Sequence, residues 1–302
     1  MKLPQSVPAY YKDEDKIVDW LSQLTNQSPK LVLSRLLDEH DNPGINVSNA
    51  IRQYKLEPYK WNDKLTEFYS QTDAFLYELI LWNLNKRKRR MRRRIGKYLY
   101  RNIGQNLNIL TVGDGLGVDS VYFTRAGHRI TYFETSALTL AFAKKLFADY
   151  AKDINVLDDP DLIPKNSYDV VICLDVLEHV PDPPEFVKNI VSYLKPNGHL
   201  IVHAPFYQIH PNTPTHLKSN RKYSGSLRLY EKQGLKLVYG MLTWDPIMLK
   251  KKSGSKNDYS SFKIIPLAVR LAGFYLKLGR FTILPFRWVS SYQLKGRRWF
   301  KG

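Results

Sequence analysis

A glycine-rich turn is the segment of this sequence best suited to hold a ligand. It reads Gly113-Asp-Gly115-Leu-Gly117 and directly follows an apolar run over residues 108–112. Glycines let the backbone turn sharply and leave no side chain to keep a ligand away. Turn glycines without any function are common, so the loop alone indicates a nucleotide-like ligand only weakly. A nicotinamide-binding loop would read G-x-G-x-x-G, whereas Val118 stands in the place of its last glycine.

An acid at the end of the next predicted strand strengthens this interpretation. Glu134 follows the run Arg129–Phe133, about twenty residues after the loop. A carboxylate at this position can accept hydrogen bonds from both ribose hydroxyls of a nucleoside. The alternative is a surface glutamate that merely ends a strand. The combination of loop, helix, strand and acid at this spacing favours the nucleoside site.

The elements that must position these residues follow an alternating pattern. Strands are predicted at 108–112, 129–133, 155–157, 168–174, 199–203 and 235–242, and helices between them at 119–126, 138–150, 184–194 and 226–233. Such alternation predicts a mostly parallel α/β sheet covered by helices on both faces. Ligands in these sheets bind beyond the carboxyl ends of the strands. The first hundred residues favour helices that pack as a cap on this sheet.

With these motifs, residues 108–204 resemble the class I S-adenosylmethionine-dependent methyltransferases. They are most similar to the type 11/23-like group, which includes the ubiquinone-biosynthesis O-methyltransferases. The family loop D-x-G-x-G-x-G corresponds to Thr111–Gly117, and its second-strand acid to Glu134. Its later signatures correspond to Leu177-Glu-His-Val-Pro-Asp-Pro183 and to the segment from Leu194 to Pro205. Three motifs in order over this length make a specific match.

The resemblance implies a Rossmann-like, doubly wound, seven-stranded methyltransferase sheet. It would carry an N-terminal helical cap over residues 1–104, with the methyltransferase domain over 105–302. A basic amphipathic helical insertion is expected at 245–287, between the sixth strand and a seventh strand at 288–294.

The resemblance also implies the cofactor S-adenosylmethionine. The residues expected to bind it are Gly113, Asp114, Gly115, Gly117, Glu134, Asp158, Leu174 and Asp175. One position departs from the family, because Thr111 stands where an acid usually organises the loop. We expect Asp114 to supply a carboxylate nearby.

The family reaction is an in-line displacement, in which the protein mainly positions and desolvates the reactants. A hydroxyl acceptor benefits from a general base, commonly histidine. We assign this role to His179, His210 and His216, which follow strand ends on the predicted ligand face; His203 is interpreted as a core residue. Asp175, Glu178 and His179 have donors suited to magnesium or manganese. Many relatives keep this Glu-His pair without metal, so no metal ion is assigned.

The positive charge is concentrated in two segments. The net charge is +18, residues 84–105 hold ten Lys/Arg and no acid, and residues 245–302 hold thirteen Lys/Arg against two Asp. The first patch is either a solvated helix face or a binding surface for phosphate, lipid headgroups or nucleic acid. The second either contacts a membrane or provides a helix that covers the mouth of the active site. We expect contact with an anionic membrane through 86–101 and 264–302, the latter including a basic amphipathic helix at 264–280.

Three functions remain open from the sequence. The first is methyl transfer to oxygen of a small-molecule, lipid-linked or glycan acceptor, by a cytoplasmic protein that is peripheral at the membrane. The second is RNA methylation, which the charge favours, although no RNA-binding module is recognisable. The third is a protein with this fold but without catalytic activity, suggested by Thr111. The single cysteine, Cys173, excludes an intrachain disulfide and a cysteine-based zinc site.

Overall fold

A computed structural model describes residues 13–240, 246–252, 271 and 274–275 of the chain. The N-terminal part is helical, as the sequence predicts. Its helices are α1 (Glu14–Thr25), α2 (Pro29–Asp41), α3 (Ile45–Gln53), α4 (Lys64–Gln71), α5 (Ala74–Leu84) and α6 (Lys86–Asn102). Local capping sets several of these starts: the side chains of Asp13, Ser28 and Asn85 accept backbone hydrogen bonds at the first turns of α1, α2 and α6. We call α1–α6 the helical cap.

The remaining elements build one seven-stranded sheet. The strands are β1 (Asn108–Val112), β2 (Arg129–Phe133), β3 (Asn155–Leu157), β4 (Tyr168–Leu174), β5 (Leu194–His203), β6 (Leu235–Tyr239) and β7 (Ile247–Lys251). The helices between them are α7 (Val118–Arg125), α8 (Ala137–Tyr150), α9 (Pro183–Ser192) and α10 (Arg228–Glu231). The strand order is β3-β2-β1-β4-β5-β7-β6, with β1–β5 parallel and β7 antiparallel to both neighbours. The predicted Rossmann-like, doubly wound fold is therefore confirmed.

Alternation along the central strands creates a core on each face of the sheet. Ile109, Val170 and Ile172 pack with the cap helices, α7 and α8, whereas Leu110 and Val171 pack with α9 and α10. Both sets are buried, as the continuous apolar runs of a parallel sheet require. The cap thus shares its core with the sheet and covers one face of it.

The position of the last strand corrects the sequence prediction. The seventh strand of the described sheet is Ile247–Lys251, inside the segment assigned to a basic insertion at 245–287. Ile247, Met248 and Leu249 are buried between β5 and β6, while Lys251 Nζ donates to the carbonyl oxygens of Val191 (3.1 Å) and Leu194 (2.7 Å). The predicted strand at 288–294 lies outside the described residues, as does most of the predicted helix 264–280. Among the helices that the structure describes, none has the length and apolarity needed to cross a bilayer.

Candidate active site

A cavity of about 1830 Å³ lies between the helical cap and the carboxyl ends of the central strands. Its sheet side includes Gly113, Gly115, Glu134 and Asp175, and its cap side includes Trp82. The loop over 204–217 forms a third wall. This loop is tied to the cap, because the backbone N–H of Tyr59 donates to the carbonyl oxygen of Pro214 (2.7 Å) and Ser48 Oγ donates to that of Pro211 (3.2 Å). The cavity is large enough for a nucleoside together with a second small molecule.

The glycine loop needs glycine for two independent reasons. Gly113 and Gly115 have φ values of +67° and +61°, in the left-handed region that disfavours side chains. A Cβ at Gly113 would lie 2.6 Å from Val176 Cγ2, and one at Gly115 would lie 2.8 Å from Leu79 Cδ1. The loop therefore packs tightly between the end of β4 and helix α5, and Gly113 and Gly115 line the cavity.

Asp114 organises the glycine loop from behind. Its carboxylate accepts hydrogen bonds from the backbone N–H groups of Asp119 (3.1 Å) and Ser120 (2.7 Å), which lie in the first turn of α7 and lack intrahelical partners. Ser120 Oγ donates to the same carboxylate (2.7 Å) and lies 2.8 Å from Thr111 Oγ1. Asp114 thus connects to the position where the family usually has an acid.

Glu134 links the end of β2 to the glycine loop. Its carboxylate accepts hydrogen bonds from the backbone N–H groups of Gly115 (3.0 Å), Thr135 (2.9 Å) and Ser136 (3.1 Å). Burial raises the pKa of Glu134, although these bonds oppose the shift. The carboxylate lines the cavity beside the loop backbone, so it is placed to accept hydrogen bonds from a diol.

Asp175 is the centre of a charged network at the end of β4. Its carboxylate accepts hydrogen bonds from Trp82 Nε1 (3.0 Å) and Lys88 Nζ (3.3 Å), and it pairs with the His203 imidazole. Burial alone would raise the pKa of Asp175, but the charges of Lys88 and His203 outweigh it and hold the pKa below its ordinary value. An ionised carboxylate therefore faces the cavity.

A buried cluster of ligating side chains lies deeper in the same cavity. Glu178, His179 and His216 each offer a ligand atom, and these atoms lie within 4.8 Å of one another. The two imidazole rings meet edge to face at 4.7 Å between centroids. His179 Nδ1 lies 3.2 Å from both the Tyr69 hydroxyl and the carbonyl oxygen of Thr215. Burial lowers the pKa of His179 to about 4 and that of His216 well below its ordinary value, so both rings are neutral near pH 7.

The cluster has the polar capacity to hold a divalent cation. Both carboxylate oxygens of Glu178 and Nδ1 of His216 are buried and have no hydrogen-bond partner within the part of the chain that the structure describes. Such orphaned atoms are costly unless something pairs with them. One carboxylate and two neutral imidazoles suit zinc or manganese. His216 is not in the set Asp175, Glu178 and His179 that the sequence indicates, and for which no metal ion is assigned. A bound cation would lower the pKa of a coordinated hydroxyl.

The structure brings together most, but not all, of the predicted site residues. Gly113, Gly115, Glu134, Asp175 and all three candidate histidines line the cavity, with His210 on its exposed rim. Four predicted cofactor contacts do not line it: Asp114, Gly117, Asp158 and Leu174. Asp114 caps α7, Gly117 faces Phe147, Asp158 is exposed and Leu174 is buried in the sheet.

Sequence reasoning missed several residues of the cavity. His203, interpreted as a core residue, contacts Asp175 and lines the cavity. Its place could have been predicted, because His203 ends the predicted strand next to the one that precedes Asp175. In the parallel β4–β5 register His203 pairs with Leu174, next to Asp175. Trp82 and Glu78 belong to the cap and had no signal, since nothing in a single sequence places α5 over the strand ends.

Comparisons with known proteins identify the family of the chain. A family model described as a methyltransferase domain matches residues 84–237. Two ubiquinone biosynthesis O-methyltransferases, from Rickettsia canadensis and Ralstonia nicotianae, are each 34% identical over 98 and 113 residues, which are 32% and 36% of this chain. The chain spans less than half the length of these relatives, 42% and 46%.

Among solved structures, the 1,6-didemethyltoxoflavin-N1-methyltransferase of Burkholderia thailandensis is 17% identical, with a TM-score of 0.43 over 57% of this chain and 81% of that one. The family assignment depends on the family model, which covers half of the chain, from the end of α5 through β6. The chain belongs to the methyltransferase domain family.

Proposed function

We propose that this protein binds S-adenosylmethionine and transfers its methyl group to an oxygen atom of a small-molecule acceptor. The observation that carries the proposal is the shared cavity. It joins a glycine loop whose Gly113 and Gly115 line the cavity, the Glu134 carboxylate beside that loop, and two neutral histidines, of which His216 is buried and His179 half-buried. The first two suit a nucleoside and the third suits a hydroxyl that must lose a proton.

Each part of the site has a distinct task in this proposal. Glu134 accepts hydrogen bonds from the ribose hydroxyls, and the ionised Asp175 offsets positive charge on the methyl donor. His179 and His216 are neutral, so either ring can accept the proton of an acceptor hydroxyl. S-adenosylmethionine supplies a methyl group on a sulfonium sulfur that needs no further activation. The acceptor oxygen bonds to this methyl carbon while the carbon–sulfur electron pair leaves with the sulfur.

The choice of oxygen as the acceptor atom is supported by two observations. The curated relatives are named for O-methylation, and the match with them is partial. A buried, unprotonated imidazole pair is useful for a hydroxyl, whereas a free amine needs less help in losing its proton. The cytoplasmic location and the boundary between residues 104 and 105 remain predictions from the sequence.

Donor binding is the first test. With S-adenosylhomocysteine at 100 times its dissociation constant, linkage predicts about 2.7 kcal/mol of stabilisation and an increase of several degrees in Tm. We expect Glu134→Ala to weaken this binding at least tenfold. Asp153→Ala, an exposed acid outside the cavity, is the matched control and should bind like the wild type. A wild-type protein that neither S-adenosylmethionine nor S-adenosylhomocysteine stabilises would refute the proposal.

Methyl transfer is the second test. It distinguishes an active enzyme from a protein that has the same fold without catalytic activity. Methyl-labelled donor is incubated with a panel of phenols and catechols, and O-methylated products are identified by mass spectrometry. We expect His216→Ala to lower kcat at least a hundredfold while it leaves S-adenosylhomocysteine affinity within about threefold. Product with nitrogen acceptors alone would contradict the oxygen assignment.

A further inference from the structure

Seven of the ten basic residues of α6 form two structurally different groups. On the side that faces the sheet domain, Lys88 and Arg92 are buried and pair with Asp119, and Lys88 also pairs with Asp175. These two charges hold the helix against the sheet domain. A second group is exposed: Lys86, Arg90, Arg93, Lys97 and Arg101.

The exposed group lies along a single face of the helix. Its members are separated by four, three, four and four positions, the spacing of one helical face. At 1.5 Å per residue the group extends over about 22 Å. Helix α6 contains no acid, and none of the five makes an ion pair with any residue in the described ranges. We call these five residues the α6 basic stripe.

The surroundings of the stripe are amphipathic. Tyr100, three positions after Lys97, is 48% exposed, and Val238 and Tyr239 on β6 are 43% and 45% exposed. Tyr239 is part of the same surface, because Arg94 of α6 lies over its ring at 5.0 Å. Exposed aromatic side chains beside Lys and Arg are typical of surfaces that lie at a lipid–water interface.

The stripe also begins at the cavity. Lys86 and Arg90 line the cavity rim, whereas Arg93, Lys97 and Arg101 continue away from it along the helix. A flat, extended anionic surface that neutralised the stripe would therefore lie next to the entrance of the proposed active site.

We propose that the α6 basic stripe docks the protein on the anionic headgroups of a lipid bilayer, with the cavity entrance at the membrane surface. A bilayer fits better than RNA for a structural reason. Single strands are bound in basic grooves with aromatic platforms for the bases, whereas the stripe is an exposed helix face with its apolar side chains at the edge. The docking is separate from the proposed methyl transfer and is measured without donor or acceptor. Its failure would leave the transferase proposal intact.

The test is sedimentation with vesicles of phosphatidylcholine alone and with 30% phosphatidylglycerol, in about 0.1 M salt, where the Debye length is about 10 Å. The variant is Arg93→Gln/Lys97→Gln/Arg101→Gln, which leaves the cavity rim unchanged. The control, Lys30→Gln/Lys64→Gln/Lys152→Gln, removes the same charge from three exposed lysines elsewhere.

We expect wild type and control to bind the anionic vesicles at least tenfold more strongly than the neutral ones. Since each basic residue near such a surface contributes about 1 kcal/mol, the stripe variant should bind at least tenfold and up to about a hundredfold more weakly. The Tm of all three proteins, measured without ligand, should agree within about two degrees, which checks that each is folded. If the triple variant does not fold, the single variants Arg93→Gln and Lys97→Gln are used, and each should weaken vesicle binding about fivefold.

Three results would overturn the proposal: equal binding to neutral and anionic vesicles, equal loss in the stripe and control variants, or undiminished vesicle binding by the stripe variant. Binding of a 20-nucleotide single-stranded RNA is measured alongside. RNA affinity that falls with the stripe charges while vesicle binding does not would assign the stripe to nucleic acid instead.

Discussion

Replacing Gly115 with alanine tests the close approach between the glycine loop and the helical cap. The new Cβ would have to adopt a φ of +61° and would lie 2.8 Å from Leu79 Cδ1. The backbone contribution is about 1 kcal/mol, the cost of a left-handed conformation for a residue with a side chain. Leu79 must then rotate away from its preferred conformation, which adds about 1 kcal/mol. Gly115→Ala should therefore lower the free energy of unfolding by about 2 kcal/mol.

A matched glycine separates these two contributions. Gly127 also has a positive φ, +89°, but a Cβ there would meet no atom within 4 Å. Gly127→Ala should thus cost only the backbone part, about 1 kcal/mol. Adding Leu79→Ala to Gly115→Ala removes the steric part, so the two changes should show a coupling energy of about 1 kcal/mol in a double-mutant cycle.

Urea unfolding of the four variants measures these differences, and thermal shift with S-adenosylhomocysteine measures the consequence for the cavity. Affinity should fall at least tenfold in Gly115→Ala and stay unchanged in Gly127→Ala. If Gly115→Ala and Gly127→Ala cost the same and Leu79→Ala shows no coupling, the cap does not press on the loop as described, and the reasoning fails.

Three further predictions concern charges and ligands in the same region. Burial, with Glu39 and Asp175 nearby, raises the pKa of Glu78 from 4.5 to about 8. The folded state therefore holds this proton more tightly than the unfolded state, and the free energy of unfolding falls as pH rises between these values. The Tm of Glu78→Gln should be close to that of the wild type at pH 5 and higher than it at pH 8.5. Asp119→Asn leaves two buried cations without their shared partner and should cost about 3–5 kcal/mol in urea unfolding, whereas Asp149→Asn at an exposed pair should cost less than about 1. Manganese should raise the Tm of the wild type and of His210→Ala but not of His216→Ala; equal stabilisation of all three would exclude the buried cluster as the binding site.

Local patterns were sufficient to predict the central sheet. The strands Asn108–Val112, Arg129–Phe133 and Tyr168–Leu174 have the bounds that their residue patterns indicate. The first and third are buried almost throughout, whereas the second alternates buried and more accessible residues. The seventh strand could not be found in the same way. Its apolar part is short, and its last residues are lysines, which are typical of a basic surface. Only the structure shows that Lys251 donates hydrogen bonds to carbonyl oxygens around the end of α9.

The active-site cavity was predicted in part for the same reason. Residues at strand ends, such as Glu134 and Asp175, are brought together by topology, which the alternating pattern reveals. The cap residues Trp82 and Glu78 are not, because their position depends on tertiary packing. Helix α6 shows most clearly what a sequence cannot predict. Its charges suggest either a solvated face or a binding face, but two of them form buried ion pairs with acids that are distant in the chain.

Those ion pairs have a consequence for how the chain could be divided or recombined. Asp119, in α7, and Asp175, after β4, belong to the sheet domain, while their partners Lys88 and Arg92 belong to the last cap helix. A cut at the predicted boundary between residues 104 and 105 would separate the acids from their bases and leave carboxylates buried at the edge of the cavity. The family match, which begins at residue 84, includes both sides of this network. Helix α6 therefore forms one structural unit with the sheet domain, and a chimera that exchanges helices α1–α5 should be joined before residue 85.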